Sequence, residues 1–312
     1  MISRKLYKIV RPVNLAISAR HLFENWLSAT LRYLLIKYGL ADGYVAVRHG
    51  DMVYMLCPEL YRFIVDGYRS GNVKDIKFCN DIRFKLAGVP VRAVPPCFVE
   101  FNYMGRSVRL FNSFPFLYDI LFENFFGGAY DDLDVRGRVV VDVGAGVGDT
   151  AILFSLKGAG KVIALEPYPK LFSLARINVK VNGFEDRVEL LNAALATGDG
   201  YAYASEGVLG YTLFRPALQG KLIKTVSLKY LVENYGIVDG VLKMDCEGCE
   251  YQVLESVDIN TLRVFKQIVI EYHNGAEPIA KVLRNAGYNI EMKPMRSTSI
   301  SIAKQGYIVA RL

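Results

Sequence analysis

VVVDVGAGVGDT, residues 139–150, is the stretch whose reading decides the fold. A run of β-branched apolar residues holding one carboxylate, Asp142, leads into glycines at alternate positions, Gly144, Gly146 and Gly148, and then into a polar helix start. The pattern is strand, tight turn, helix. Glycines in such a turn let the backbone bend sharply and approach a ligand, and the helix behind it presents free N–H groups.

Outward from this turn the rhythm repeats. KVIALEP (161–167) and VELLNAAL (188–195) read as strands, with DTAILFSLKG (149–158) and PKLFSLARINVKVNG (169–183) as the helices between them. TVSL (225–228) precedes a short helix, GVLKMD (240–245) and QIVIEYH (267–273) are two more buried strands, and AEPIAKVLRNAG (276–287) is a helix. Alternation of strand and helix at this spacing gives parallel strands with crossover helices, an α/β doubly wound sheet. ISIAKQGYIVARL (300–312) reads as two strands about KQG, a closing hairpin that supplies an antiparallel edge strand.

The first 126 residues follow another pattern. Apolar residues at three- and four-residue spacing predict a helix over 14–39, stopped by Gly39. GYVAVRHGDMVYML (43–56) and CFVEFNYMGRSVRLF (97–111) each read as a hairpin, with ELYRFIVDGYRSG (59–71) helical between them. The boundary is expected in the glycine-rich GGAYDDLDVRGR, residues 127–138, which divides an N-terminal α+β substrate or cap region, 1–126, from a cofactor-binding domain, 127–312.

The chain has 312 residues, 52% of them hydrophobic, and a formal charge of +7, enough apolar mass for a sizeable core. In residues 1–50, Arg4, Lys5, Lys8, Arg11, Arg20, Arg32, Lys37 and Arg48 face only Glu24 and Asp42. Such a skew suits a nucleic acid or an anionic membrane surface, or is simply a solvated helix face. Peripheral membrane contact through this helix competes with docking of its apolar stripe on the protein's own core. Five scattered cysteines are no disulfide framework, and neither a signal peptide nor a run of about 20 apolar residues is present, so the expected location is cytoplasmic. Oligomeric state is unknown at this level.

Two cofactors fit the glycine turn. Gly146, Gly148 and Ala151 have the G-x-G-x-x-A spacing of a nicotinamide dinucleotide site, as an oxidoreductase would use. Asp142 stands against it, because a carboxylate in the turn repels a pyrophosphate; the cationic ammonium and sulfonium of S-adenosylmethionine favour an acidic surrounding. Glu166, after the second strand, is placed to accept hydrogen bonds from a ribose diol.

The second informative stretch is LKMDCEGCEYQVL, residues 242–254. If GVLKMD is the fourth strand, Asp245 ends it, where ligands bind in open α/β sheets. Glu247 and Glu250 follow at a helix start, whose dipole they also suit. A lone Cys-x-x-Cys has no second pair to complete a zinc site, so Cys246 and Cys249 are read as incidental small residues. Glu271 and His273 end the fifth strand on the same sheet edge. Asp245, Glu247 and His273 are the candidate catalytic residues, His273 as a base with a pKa near neutrality. No metal is expected, although the spacing permits a divalent ion on Asp245, Glu271 and His273 or Asn274.

D-x-G-x-G-x-G at 142–148, with Glu166 after the second strand, resembles motif I and the ribose acid of class I S-adenosylmethionine-dependent methyltransferases. More narrowly, GGAYDDLDVRGRVVVDVGAGVGDTAILF (127–154), VIALEPYP (162–169) and LKMDCEGCEYQVL followed by IVIEYH (268–273) are similar to the FkbM family of these enzymes, over about half the chain. The resemblance implies a Rossmann-like sheet with bound S-adenosyl-L-methionine. It implies Asp142, Gly144, Ala145 and Gly146 around the methionine part, Glu166 on the ribose, Asn192 or Ala193 near the adenine, and Tyr130 and Asp245 lining the site. The implied activity is methyl transfer to oxygen, on a sugar hydroxyl of a glycan or on a small metabolite, with methylation of RNA through the basic N-terminal segment as the alternative.

Overall fold

The computed structural model describes residues 13–111, 120–204, 221–294 and 304–312. The chain divides into two compact units, Met1–Asp119 and Ile120–Leu312. The division lies upstream of the glycine-rich 127–138 segment, because the π-helical turn Leu121–Phe126 belongs with the second unit: its Asn124 amide donates to Asp149 Oδ2 at 2.5 Å.

In the first unit the helix expected over 14–39 is two. Residues 13–19 are helical, the chain breaks over 20–25, and α1 runs Trp26–Lys37. The break has a cause: Asn25 donates its amide to Ala46 O and accepts from Arg48 N, while Glu24 Oε1 accepts from Gly50 N. These bonds tie the break to the hairpin of β1 (Val45–His49) and β2 (Met52–Leu56). After α2 (Pro58–Arg69) comes an antiparallel meander, β3 (Val73–Phe78), β4 (Ile82–Leu86), β5 (Val89–Val94), β6 (Phe98–Tyr103) and β7 (Arg106–Phe111). Its last hairpin is the one read at 97–111; β3 to β5 were not anticipated, although Ile82, Phe84 and Leu86 alternate with charged residues before Ala87 and Gly88. Of the N-terminal basic residues, Arg4, Lys5, Lys8 and Arg11 lie outside the described residues.

The second unit is a seven-stranded sheet. Its strands are β8 (Val139–Val143), β9 (Lys161–Leu165), β10 (Val188–Leu191), β14 (Gly240–Met244), β15 (Phe265–Tyr272), β16 (Asn289–Pro294) and β17 (Gly306–Arg311), in the order β10-β9-β8-β14-β15-β17-β16. From β10 to β15 all pairings are parallel. Strand β17 runs antiparallel between β15 and β16. This is the expected α/β doubly wound, Rossmann-like sheet. The hairpin partner of β17 is β16, and the segment 300–303 expected in that role lies outside the described residues.

Helices α3 (Asp149–Leu156) and α4 (Pro169–Val181) connect the first three strands; α5 (Leu228–Tyr235), α6 (Cys249–Ser256), α7 (Ile259–Arg263) and α8 (Glu277–Asn285) follow. Val141, Val143, Leu242, Met244, Ile268 and Ile270 are fully buried, as strands covered on both faces require. The stretch read as one strand at 188–195 is broken: Asn192 turns the chain by donating its amide to Glu166 O and Pro167 O. β11 (Ala194–Leu195) then joins a separate small sheet with β13 (Lys221–Val226) and β12 (Gly200–Ala204).

Candidate active site

The strand reversal in the sheet order lies between β8 and β14, and both strands end in the two sequence motifs. Gly144, directly after β8, has φ +75°. A Cβ on it would sit 1.8 Å from the carbonyl oxygen of Asp245, so the turn exists only because this position is glycine. Gly144 N and Ala145 N both donate to Leu165 O at the end of β9. Glu166, also buried, accepts from Gly146 N at 2.9 Å and Tyr168 N at 2.8 Å. Burial outweighs these bonds and pushes its carboxyl up to about 7.

Asp142 is fully buried under the turn. Thr150 Oγ1 donates to its Oδ2 at 2.6 Å, and Lys243 Nζ pairs with its Oδ1 at 3.1 Å. Lys243 is itself 1% exposed, one residue before the end of β14, and donates to Val143 O and Gly144 O as well. One ammonium group therefore holds both the carboxylate and the carbonyls of the glycine turn. Lys243 belongs to no motif, and its one signal in the sequence is a lone cation inside the apolar GVLKMD.

The acidic cluster follows β14. Glu247 has φ +57°, a conformation that costs a residue with a side chain about 1 kcal/mol or more and that collects at functional sites. Glu250 is sealed from solvent and closes the turn, its Oε1 accepting from Cys246 N and its Oε2 from Gly248 N. That is the helix-start role anticipated for it. The reading of Cys246 and Cys249 as incidental is corrected: the two sulfurs are bonded to each other, bracketing Glu247 and Gly248.

His273, just past β15, stands among four carboxylates. Its Nε2 is 3.2 Å from Glu271 Oε1, 3.6 Å from Glu247 Oε2 and 3.9 Å from Asp245 Oδ1, and its Nδ1 is 3.8 Å from Glu250 Oε1. Both ring nitrogens are buried, and neither has an aligned hydrogen-bond partner among the described residues. Burial works against the charged ring, but Glu271, Glu247 and Asp245 together push His273 up to about 9. The expectation of a pKa near neutrality is thereby corrected: the imidazole is a cation at pH 7. Burial first, then the charge of Glu271, drives the Asp245 carboxyl well above its ordinary range, and burial raises Glu247 as well.

Tyr130 completes this group. It is buried edge-on against Phe154 and Tyr307, and its phenol is driven well up by burial, then by Asp245 and Glu271. Tyr307 in turn donates to Glu123, a pair the sequence did not reveal. The structure thus brings together Asp245, Glu247, His273 and Tyr130, and links them to Asp142, Gly144, Ala145 and Gly146 through Lys243 and the Asp245 carbonyl. Glu166, Asn192 and Ala193 lie on the other flank of the glycine turn. Asn192 is exposed with its amide committed to backbone carbonyls, and Ala193 is in the core.

The donor set suits a cation. Four carboxylates against one imidazolium leave surplus negative charge, and burial raises Asp245 and Glu247 above their ordinary range. Asp245, Glu250 and His273 can each bring one donor atom within 4.8 Å of the others, the spacing of a metal set, with Glu250 where Glu271 was anticipated. Beside the cluster opens a cavity of about 660 Å³, with Glu247, Gly248 and Asn274 on one wall and Leu195, Asp199 and Tyr201 on another. Among the described residues no helix is long and apolar enough to cross a membrane.

Residues 142–290 match the model of the methyltransferase FkbM domain. A ribosomal protein L11 methyltransferase of Carboxydothermus hydrogenoformans is 42% identical over 62 residues, 20% of this chain and 20% of that protein. The chain therefore spans about a fifth of the length of these curated relatives. An uncharacterized protein, 158B, of Sulfolobus islandicus rod-shaped virus 1 is 28% identical over 157 residues, 50% of this chain and 73% of that one. Among solved structures, methyltransferase FkbM from Methylobacillus flagellatus is similar at 14% identity with a TM-score of 0.41, covering 62% of this chain and 54% of that chain.

Proposed function

We propose, for a chain whose residues 142–290 belong to the FkbM methyltransferase family, that it transfers a methyl group from S-adenosyl-L-methionine to an oxygen acceptor, a sugar hydroxyl or a small metabolite. The observation that carries the reading is the carboxylate surplus around His273 at the mouth of the glycine turn. A pocket of that charge favours a cationic cofactor over a dinucleotide, whose pyrophosphate it would repel. The residues that would hold it are Gly144, Ala145 and Gly146 along the turn, Glu166 on one flank, and Asp245 and Tyr130 on the other.

When bound, S-adenosylmethionine supplies an electrophilic methyl group on a sulfonium that departs as a neutral thioether. The protein's own task is to orient the acceptor and take its proton. His273, already protonated, is poorly suited to accept one. Glu247 is the group that both borders the cavity and lies against His273, and its burial makes it a stronger base than an exposed glutamate. In this reading Glu247 receives the hydroxyl proton, and the His273 imidazolium orients its carboxylate. The Glu247 backbone strain fits that assignment, because a left-handed residue aims its side chain where a regular helix start would not.

Thermal melts with S-adenosylhomocysteine and with NAD test the cofactor. A ligand at a hundredfold excess over its Kd stabilises the folded chain by about 2.7 kcal/mol. S-adenosylhomocysteine should raise Tm by several degrees and NAD should not; the reverse result would sink the reading.

A further inference from the structure

We infer that the cavity of about 660 Å³ beside Glu247 is the acceptor-binding site, and that it selects an uncharged, hydrogen-bonding organic molecule and rejects phosphorylated ones. The inference rests on the methyl-transfer reading above. The volume falls in the range of small-molecule sites, roughly 300–1,000 Å³, and exceeds what a single small alcohol needs.

Location argues first. Glu247 belongs to both the cavity and the charged cluster, being 3.6 Å from His273 Nε2, and Asn274 follows His273 directly in the chain. A molecule in the cavity therefore reaches Glu247, the carboxylate assigned to take its proton. The opposite wall comes from Leu195 to Asp199 and from Tyr201, residues placed there because the chain leaves the main sheet at Asn192 to form the small sheet.

The lining argues second. Among the described residues it holds two carboxylates, Asp199 and Glu247, and no lysine or arginine, so a phosphate would enter against like charge without a counter-ion. Gln252 and Asn274 offer side-chain amides that make no hydrogen bond within the described structure, and each both donates and accepts. Tyr201, 70% exposed, offers an aromatic face at the rim. Solvent-facing amides and an open aromatic face recognise neutral polar rings, whereas phosphate recognition recruits arginine forks and lysines.

The test uses the full chain with S-adenosylmethionine carrying a labelled methyl group and a cell extract resolved by anion exchange. Label is expected in the unretained, uncharged fraction. Gln252→Lys, Asn274→Ala and Tyr201→Ala should each reduce that labelling by about tenfold, the cost of one neutral contact. Binding of S-adenosylhomocysteine, measured by calorimetry, should stay unchanged in all three, which also reports that they fold. Label confined to RNA or to phosphate-bearing molecules, unimpaired labelling by the variants, or no label in any fraction while S-adenosylhomocysteine binds would each overturn the assignment. Failure of the parent chain to bind S-adenosylhomocysteine would instead remove the methyl-transfer reading and this inference with it.

Discussion

Lys243 Nζ and Asp142 Oδ1 lie 3.1 Å apart, sealed from solvent, on adjacent parallel strands whose ends carry the two motifs of the site. The same ammonium donates to Gly144 O, so the pair couples the floor of the glycine turn to the strand that delivers Asp245. A buried ion pair adds little net stability over apolar residues of the same size, but removing one partner strands a charge in a dry interior. Burial disfavours the ammonium, yet Asp142 and Asp245 more than compensate, so Lys243 stays charged throughout the accessible pH range.

Lys243→Met should therefore destabilise the second unit by about 3–5 kcal/mol. Adding Asp142→Asn should recover part of that loss, because the stranded carboxylate is gone. Urea unfolding of the parent, both single variants and the double variant measures the coupling. Additive single effects would show that the two side chains are not energetically coupled.

Gly144→Ala has no room. The new Cβ would meet the Asp245 carbonyl at 1.8 Å, and the residue would also keep a left-handed φ, which costs about 1–2 kcal/mol alone. Backbone on both sides must shift. The variant should lose Tm and lose S-adenosylhomocysteine binding together, whereas Gly183→Ala, with a left-handed φ of 69° but open space around it, should lose only stability.

These two sites differ in how far the sequence revealed them. The glycine turn and the strand ending in Asp245 were legible because their signals are local: apolar runs, alternate glycines, a carboxylate at a strand end. Lys243 was not, because its meaning depends on a partner 101 positions away, across two strands. The partner of β17 was missed for the same reason. Strand register is set by packing, and nothing in KQGYIVARL points to Asn289–Pro294. The break at Asn192 was hidden because NAAL continues an apolar run, and only the bonds to Glu166 O and Pro167 O show the turn.

The Cys246–Cys249 bond predicts a thiol count. Five cysteines are in the chain, with Cys57, Cys79 and Cys97 outside the disulfide as thiols, so non-reducing denaturation should expose three thiols and prior reduction should expose five. The loop closed is short, and loop-closure entropy limits the bond to about 2 kcal/mol. Cys246→Ser with Cys249→Ser should therefore fold, with a lower Tm and looser placement of Glu247. Five thiols without reductant would contradict the bonded arrangement.

Protons at the site make stability and binding depend on pH in opposite directions. His273 titrates at about 9 when folded against 6.5 in a free chain, so its contribution is fully present below pH 6.5 and is lost as pH rises through 9. Glu166 and Asp149, held up at about 7 and about 6, also prefer their protonated forms in the folded state, and stability falls as pH rises towards those values. The ligand-free chain should then be more stable at pH 6 than at pH 9, and His273→Gln should flatten the slope between 6.5 and 9. The sulfonium of S-adenosylmethionine and the His273 imidazolium repel one another beside the same carboxylates, so cofactor affinity should increase from pH 7 to 9. S-adenosylhomocysteine, which lacks the sulfonium, should show a weaker dependence; equal slopes would mean that the cluster does not face the sulfonium.

Glu247→Gln separates the base from the binding site. The amide keeps the size of the side chain and its place on the cavity wall but cannot take a hydroxyl proton at neutral pH. General-base catalysis is worth about 10²–10⁴-fold. The variant should lose that factor in kcat while its KM for the acceptor and its Kd for S-adenosylhomocysteine change little. His273→Gln should behave differently: with the imidazolium gone, Glu247 loses the charge that lowers its pKa, so residual activity should shift to higher pH rather than vanish. A pH–rate profile of the parent rising through the Glu247 ionisation and moving upward in His273→Gln would match these roles. If His273→Gln abolished turnover at every pH while Glu247→Gln retained it, the assignments of base and orienting group would have to be exchanged.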